Sequence, residues 1–103
     1  MKTLNIKTES TLYDTSELFK VFSDYSRVKI LFTLLDNELS VNEITAILEM
    51  NQSAVSHQLS ILKKSKLIKA RKEGKYVFYS LADKHVYNIL AQGIEHTEEN
   101  KSR

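Results

Sequence analysis

Asp83, His85, His96 and Glu99 spell the string D-x-H-x10-H-x2-E, and imidazole nitrogen and carboxylate oxygen are donors that bind a divalent metal ion. All four fall in the last helix-forming stretch of the chain. A helix rises about 1.5 Å per residue, so the two imidazoles stand roughly 16 Å apart, whereas a metal ion holds its ligand atoms at about 2 Å. One helix therefore does not close the site. The steps from His85 to His96, at about 100° each, return almost to the starting azimuth, and His96 and Glu99 are neighbours on that face. Asp83 sits as a natural N-cap, from which its side chain swings towards His85. If the helix packs antiparallel against a two-fold copy of itself, two equivalent sites form, each taking Asp83 and His85 from one protomer and His96 and Glu99 from the other. Two nitrogens and two oxygens suit Zn(II) in tetrahedral geometry, with Co(II) binding similarly.

A second constellation appears when charge is counted in pieces. The net charge of +2 resolves into −3 over residues 1–50, +6 over 51–80 and −1 over 81–103. A basic block inside an otherwise acidic chain is the footprint of a phosphate-binding surface. Within it Ser53, Ser56, His57 and Ser60 recur at i, i+3, i+4 and i+7, opposite the apolar positions Val55, Leu59 and Leu62. Short polar side chains in such a stripe hydrogen-bond base edges and phosphates in a major groove. Lysines follow on the last turn, and more cations decorate the segment beyond. The expected DNA-contacting set is Gln52, Ser53, Ser56, His57, Lys63, Lys64, Arg71 and Lys75.

Several elements must position these groups. After a polar leader over residues 1–11, Leu12, Leu18, Phe19, Val21 and Phe22 predict a first helix capped at Asp14 or Thr15. A second follows Ser26, with Val28, Ile30, Leu31, Leu34 and Leu35 apolar. Ser40 and Glu43 form a capping box for a third, which buries Val41, Ile44, Ile47 and Leu48. Asn51 or Gln52 opens a fourth after a short break, completing a helix-turn-helix pair. From Ile68 the apolar period changes to two, and Gly74 supplies the turn of a β-hairpin ending at Leu81. A last helix is predicted from Lys84 to about Glu98, with a polar tail at 100–103. Its Gly93 costs helix stability by about 1 kcal/mol, a cost that close approach of a partner helix offsets. The order α-α-α-α-β-β-α is that of a winged helix-turn-helix: a mainly α single domain over 1–103, with one β-hairpin and dimerisation through the terminal helices.

Composition narrows the function. No cysteine is present, which excludes disulfides, thiolate metal sites and cysteine redox sensing. No apolar run spans a membrane and the N-terminal residues lack the apolar stretch of a signal peptide, so a cytoplasmic protein without a membrane partner is expected. Neither the adjacent Ser56-His57 pair nor any Gly-rich loop offers a nucleophile or phosphate cradle, and four protein ligands leave a metal no open position for water. An enzyme acting on a small organic substrate is not expected.

Residues 17–99 resemble the ArsR/SmtB family of metal-responsive bacterial repressors. Phe22-Ser23-Asp24-Tyr25-Ser26-Arg27-Val28-Lys29-Ile30-Leu31 is similar to the family's opening segment, and Gln52-Ser53-Ala54-Val55-Ser56-His57-Gln58-Leu59 to its recognition helix. Glu38-Leu39-Ser40-Val41-Asn42-Glu43-Ile44 aligns with the family's thiolate motif, but Ser40 and Asn42 stand where the cysteines would be. That departure argues against sensing of arsenic, antimony, cadmium or lead. Asp83, His85, His96 and Glu99 match the family's C-terminal dimer-helix site at every ligand position. The resemblance implies a homodimeric repressor that binds an inverted-repeat operator without metal and is released by Zn(II) or Co(II), derepressing metal efflux or storage genes. The alternatives are a winged-helix DNA-binding regulator that senses no metal, and a winged helix used as a protein interaction module.

Overall fold

Apolar residues that recur at three- and four-residue intervals converge in the computed structural model, which describes residues 3–101. Helix α1 (Ile6–Phe22) leads to α2 (Tyr25–Thr33), a two-residue strand β1 (Leu39–Ser40), α3 (Val41–Leu48) and α4 (Gln52–Lys64). The hairpin strands β2 (Ile68–Glu73) and β3 (Tyr76–Leu81) follow, then α5 (Lys84–Lys101). Ile30 and Leu31 of α2, Ile44 of α3, and Val55, Leu59 and Leu62 of α4 are exposed by 1% or less. Leu67 and Ile68 at the base of the hairpin, with Val86 and Leu90 of α5, complete the same core. The result is the mainly α winged helix-turn-helix that the element order predicts.

Local chemistry sets the boundaries that matter for the site. Ser40 Oγ accepts from Glu43 N at 3.2 Å while Glu43 Oε1 accepts from Ser40 N at 3.0 Å, the reciprocal capping box that starts α3. Glu49 takes a left-handed conformation, φ 53°, and turns the chain into α4. Asn51 Oδ1 then accepts from the backbone N–H groups of Ser53 and Ala54 at 2.8 and 3.3 Å, fixing where α4 begins. At the other end Lys66, φ 62°, donates to Lys63 O and Leu67 donates to Leu62 O. This paired arrangement is a Schellman cap, closed by the apolar contact of buried Leu62 and Leu67. Gly74, φ 62°, lies in a two-residue turn between the register partners Glu73 and Tyr76.

The structure departs from the sequence expectations at several points. Part of the 1–11 leader is helical: α1 begins at Ile6, capped by Asn5 Oδ1 on Thr8 N at 2.8 Å, and not at Asp14 or Thr15. Lys7, Thr8, Glu9 and Ser10 carry no apolar period to reveal this, and α1 buries none of its residues. Asp24, two residues before Ser26, caps α2 by accepting from Arg27 N at 3.2 Å. Leu39–Ser40 pairs antiparallel with β3, extending the hairpin to a three-stranded sheet of order β1-β3-β2. Ile47, expected in the core, is 57% exposed. The last helix runs on to Lys101 and takes in the start of the 100–103 tail. Residues 1–2 of the leader and 102–103 of the tail lie outside the described residues.

The left-handed Lys66 strains any side chain with a Cβ, whereas glycine takes φ 62° freely. Lys66→Gly is expected to be about 0.5–1 kcal/mol more stable than Lys66→Ala, which removes the same charge and keeps the strain. Urea unfolding of the two variants side by side checks this.

Candidate nucleic-acid interface and metal half-sites

The two faces of α4 are fully sorted. Val55, Leu59 and Leu62 point into the core, while Gln52, Ser53, Ser56, His57 and Ser60 are exposed. Gln58 behaves differently from its neighbours. Its Oε1 accepts from Arg27 Nε at 2.8 Å, so it ties α4 to α2 and is only half-exposed. Lys63 and Lys64 stand exposed at the C-terminal end of α4, where positive charge suits the helix dipole. On the hairpin Lys72 and Lys75 are exposed, with Lys75 Nζ 5.6 Å from the centre of the Tyr76 ring. Arg71 is exposed too, but its guanidinium is engaged. Nε and Nη2 bind the two oxygens of Glu38 at 3.0 and 2.7 Å, and Nη1 binds Glu73. The hydrogen bond from Arg71 holds the Glu38 carboxyl below its ordinary value, and Glu38 and Glu73 together raise that of the guanidinium. Neither Arg27–Gln58 nor Glu38–Arg71 is legible in the sequence, because each joins residues more than thirty positions apart.

At the N-terminus of α5, Asp83 Oδ1 accepts from Val86 N at 3.1 Å and lies 3.6 Å from His85 Nδ1. The backbone N–H of Val86, and then contacts from His85, hold the Asp83 carboxyl below its ordinary range. The His85 ring is 92% exposed. Near the other end of α5, His96 and Glu99 are exposed and line one shallow concavity with Gln92 and Glu95. Glu95, a further carboxylate in that concavity, was not among the expected ligands. Asn100 Nδ2 stands 3.4 Å from His96 Nε2. The chain thus brings Asp83 to His85 and His96 to the face of Glu99, and it holds the two pairs apart at the two ends of α5. Among the described residues no three potential ligands converge. Each pair has the donor types zinc takes and half the number it requires. His57 is not part of either pair and lies on the outer face of α4.

Residues 24–70 match the family model described as bacterial regulatory protein, arsR family. The chain is 41% identical over 87 residues to the cadmium resistance transcriptional regulatory protein CadC homolog of Staphylococcus aureus, covering 84% of this chain and 72% of that one. It is 40% identical over 85 residues to the transcriptional repressor SmtB homolog of Synechocystis sp., covering 82% of this chain and 64% of the relative's length. Among solved structures, it is similar to the homodimeric winged helix-turn-helix DNA-binding domain of a possible ArsR-family transcriptional regulator from Mycobacterium bovis. That likeness has a TM-score of 0.85 at 26% identity and covers 96% of this chain and 92% of the other.

The Glu38 carboxyl is depressed by a partner, so the pair's contribution is present above the ordinary carboxylate value of 4.5 and is lost as pH falls through Glu38's lowered one. In a side-chain NMR titration Glu38 is expected to titrate below 4.5 in the wild type and to return towards it in Arg71→Ala. Identical titration in both proteins contradicts the pairing.

Proposed function

The chain belongs to the arsR family of bacterial regulatory proteins, and from that premise we propose a homodimeric DNA-binding repressor of the cytoplasm that zinc releases from its operator. The observation that carries the metal part is the pair of half-sites on α5. Asp83 with His85 and His96 with Glu99 stand about 16 Å apart along one helix, each with two donors of a four-donor set. A second copy, antiparallel through α5, completes both. The apolar groove between α1 and α5, lined by Phe19, Phe22, Val28, Ile89 and Ile94, supports such a partner, as does Gly93, which opens onto it. A Cβ added at Gly93 meets nothing within 4 Å in the single chain, so the position has room for a close helix.

The DNA contacts are assigned to Gln52, Ser53, Ser56 and His57 in the major groove and to Lys63, Lys64 and Lys75 on phosphates. Two such faces in a two-fold dimer suit an inverted repeat. Zn(II), or Co(II), supplies a cross-link between the two α5 helices when bound. The two α4 helices are then restricted to separations that fit successive major grooves poorly. By linkage, DNA weakens metal binding by the same factor that metal weakens DNA binding. The regulated genes are proposed to serve metal efflux or storage.

A second reading keeps the DNA binding and removes the metal. It rests on the structural uses that the half-sites already have: Asp83 caps α5, and His96 lies beside Asn100. Duplexes selected by the protein from random sequence separate the two readings in a mobility-shift assay. The expected result is a retarded complex that dissolves on adding Zn(II) at about one ion per protomer, and that persists with Zn(II) in His96→Ala. Release unaffected by that substitution, or no tight zinc binding, leaves the metal-free reading standing.

A further inference from the structure

Arg71 reaches across the whole sheet. The register places Ser40 of β1, Phe78 of β3 and Arg71 of β2 in one row, with β3 in the middle. Glu38 lies two residues before Ser40, just ahead of β1. From β2 the guanidinium passes over the Phe78 ring, 5.3 Å from its centre, and grips both oxygens of Glu38. Fork-to-carboxylate pairing of this kind fixes orientation as well as distance, which a lysine cannot do. Glu73 takes the remaining nitrogen. One cation therefore faces two carboxylates, so the Arg71 guanidinium is already paired before a DNA phosphate approaches it. The other end of the clamp is the start of the helix-turn-helix, because Ser40 caps α3 through the box with Glu43. Besides the clamp, the hairpin meets that unit through the β1 register pairs, Leu39 with Tyr79 and Ser40 with Phe78, and through Leu67 and Ile68 in the core at its base. The clamp ties β2 further towards its tip, at Arg71.

We infer that Arg71 is a positioning residue and not a phosphate contact: through Glu38 it locks the wing to the head of the helix-turn-helix, so that the tip cations Lys72 and Lys75 meet the DNA backbone in register with α4. The inference rests on the DNA-binding reading and sharpens it, since a basic residue of the wing is withdrawn from the DNA-contacting set. It also makes Glu38, an acidic residue, favourable for binding a polyanion.

Two measurements on the intact protein test this. Binding to a fluorescein-labelled random-sequence duplex is followed across a salt series for the wild type, Glu38→Gln, Arg71→Ala, the double variant and Lys75→Ala. Glu38→Gln is expected to weaken binding several-fold although it removes a negative charge, with the slope of log K against log salt unchanged. Lys75→Ala lowers that slope by about one. Arg71→Ala costs little more once Glu38→Gln is in place. Tighter binding by Glu38→Gln, or a slope lowered by about one in Arg71→Ala, overturns the inference. On the free protein, amide relaxation of Gly74, Lys75 and Tyr76 is expected to show larger motion in Glu38→Gln and Arg71→Ala, with the thermal midpoint barely moved because the pair is exposed. A wing equally rigid in all variants also overturns it. Should the wild type bind no duplex, the DNA reading fails, and the relaxation data alone decide whether the clamp exists.

Discussion

One core holds this fold, and it is too small to clothe both terminal helices. Of the eleven buried apolar side chains among the described residues, only Val86 and Leu90 come from α5, and α1 contributes none. Phe19 remains 52% exposed beside a groove that runs along α5. Covering a large apolar side chain is worth about 1.5–3 kcal/mol, so the uncovered faces of α1 and α5 favour a partner with the same pattern. Two-fold pairing of identical faces is the simplest such solution. The helix that supplies this face also carries the proposed metal half-sites, and its rise per residue sets their separation.

The end of α4 and the start of α5 are joined by a short run of bonds. Leu67, which closes the Schellman cap of α4, accepts from the backbone N–H of Ala82 at 3.0 Å. Asp83 follows directly and caps α5. Asp83 also lines, with Asp36, Glu38 and Lys69, the open cleft between α5 and the sheet. The start of α5 thus adjoins the end of α4 and the foot of the wing. The proposed coupling of metal to DNA needs no direct meeting of the two ligands, only two dimer arrangements that each favours differently.

Much of this was legible in the residues. Helical spacing of Val55, Leu59 and Leu62 fixed which face of α4 is outward, and the Ser40–Glu43 box marked the start of α3 to the residue. Gly74 marked the turn of the wing. What stayed hidden was governed by long-range partners or by polar local chemistry. The first turn of α1 is set by the Asn5 cap on Thr8, with no apolar period to betray it. Leu39–Ser40 is a strand only because β3 lies beside it. The charge block over 51–80 counted Arg71 as one more basic residue, and only the folded sheet brings Glu38 to it. The D-x-H-x10-H-x2-E string was visible as spacing, while the single chain holds its donors as two separate pairs.

Subunit mixing tests the central claim, that each metal site takes donors from two chains. His85→Ala and His96→Ala homodimers each lack a donor in both sites and are expected to bind zinc poorly. In a mixed dimer one site loses both imidazoles, and the other keeps His85 from one chain and His96 from its partner. Zinc titration of the two variants after subunit exchange is therefore expected to recover one tight site per mixed dimer, absent from either variant alone. No recovery in a sample whose exchange has been demonstrated would contradict the shared site.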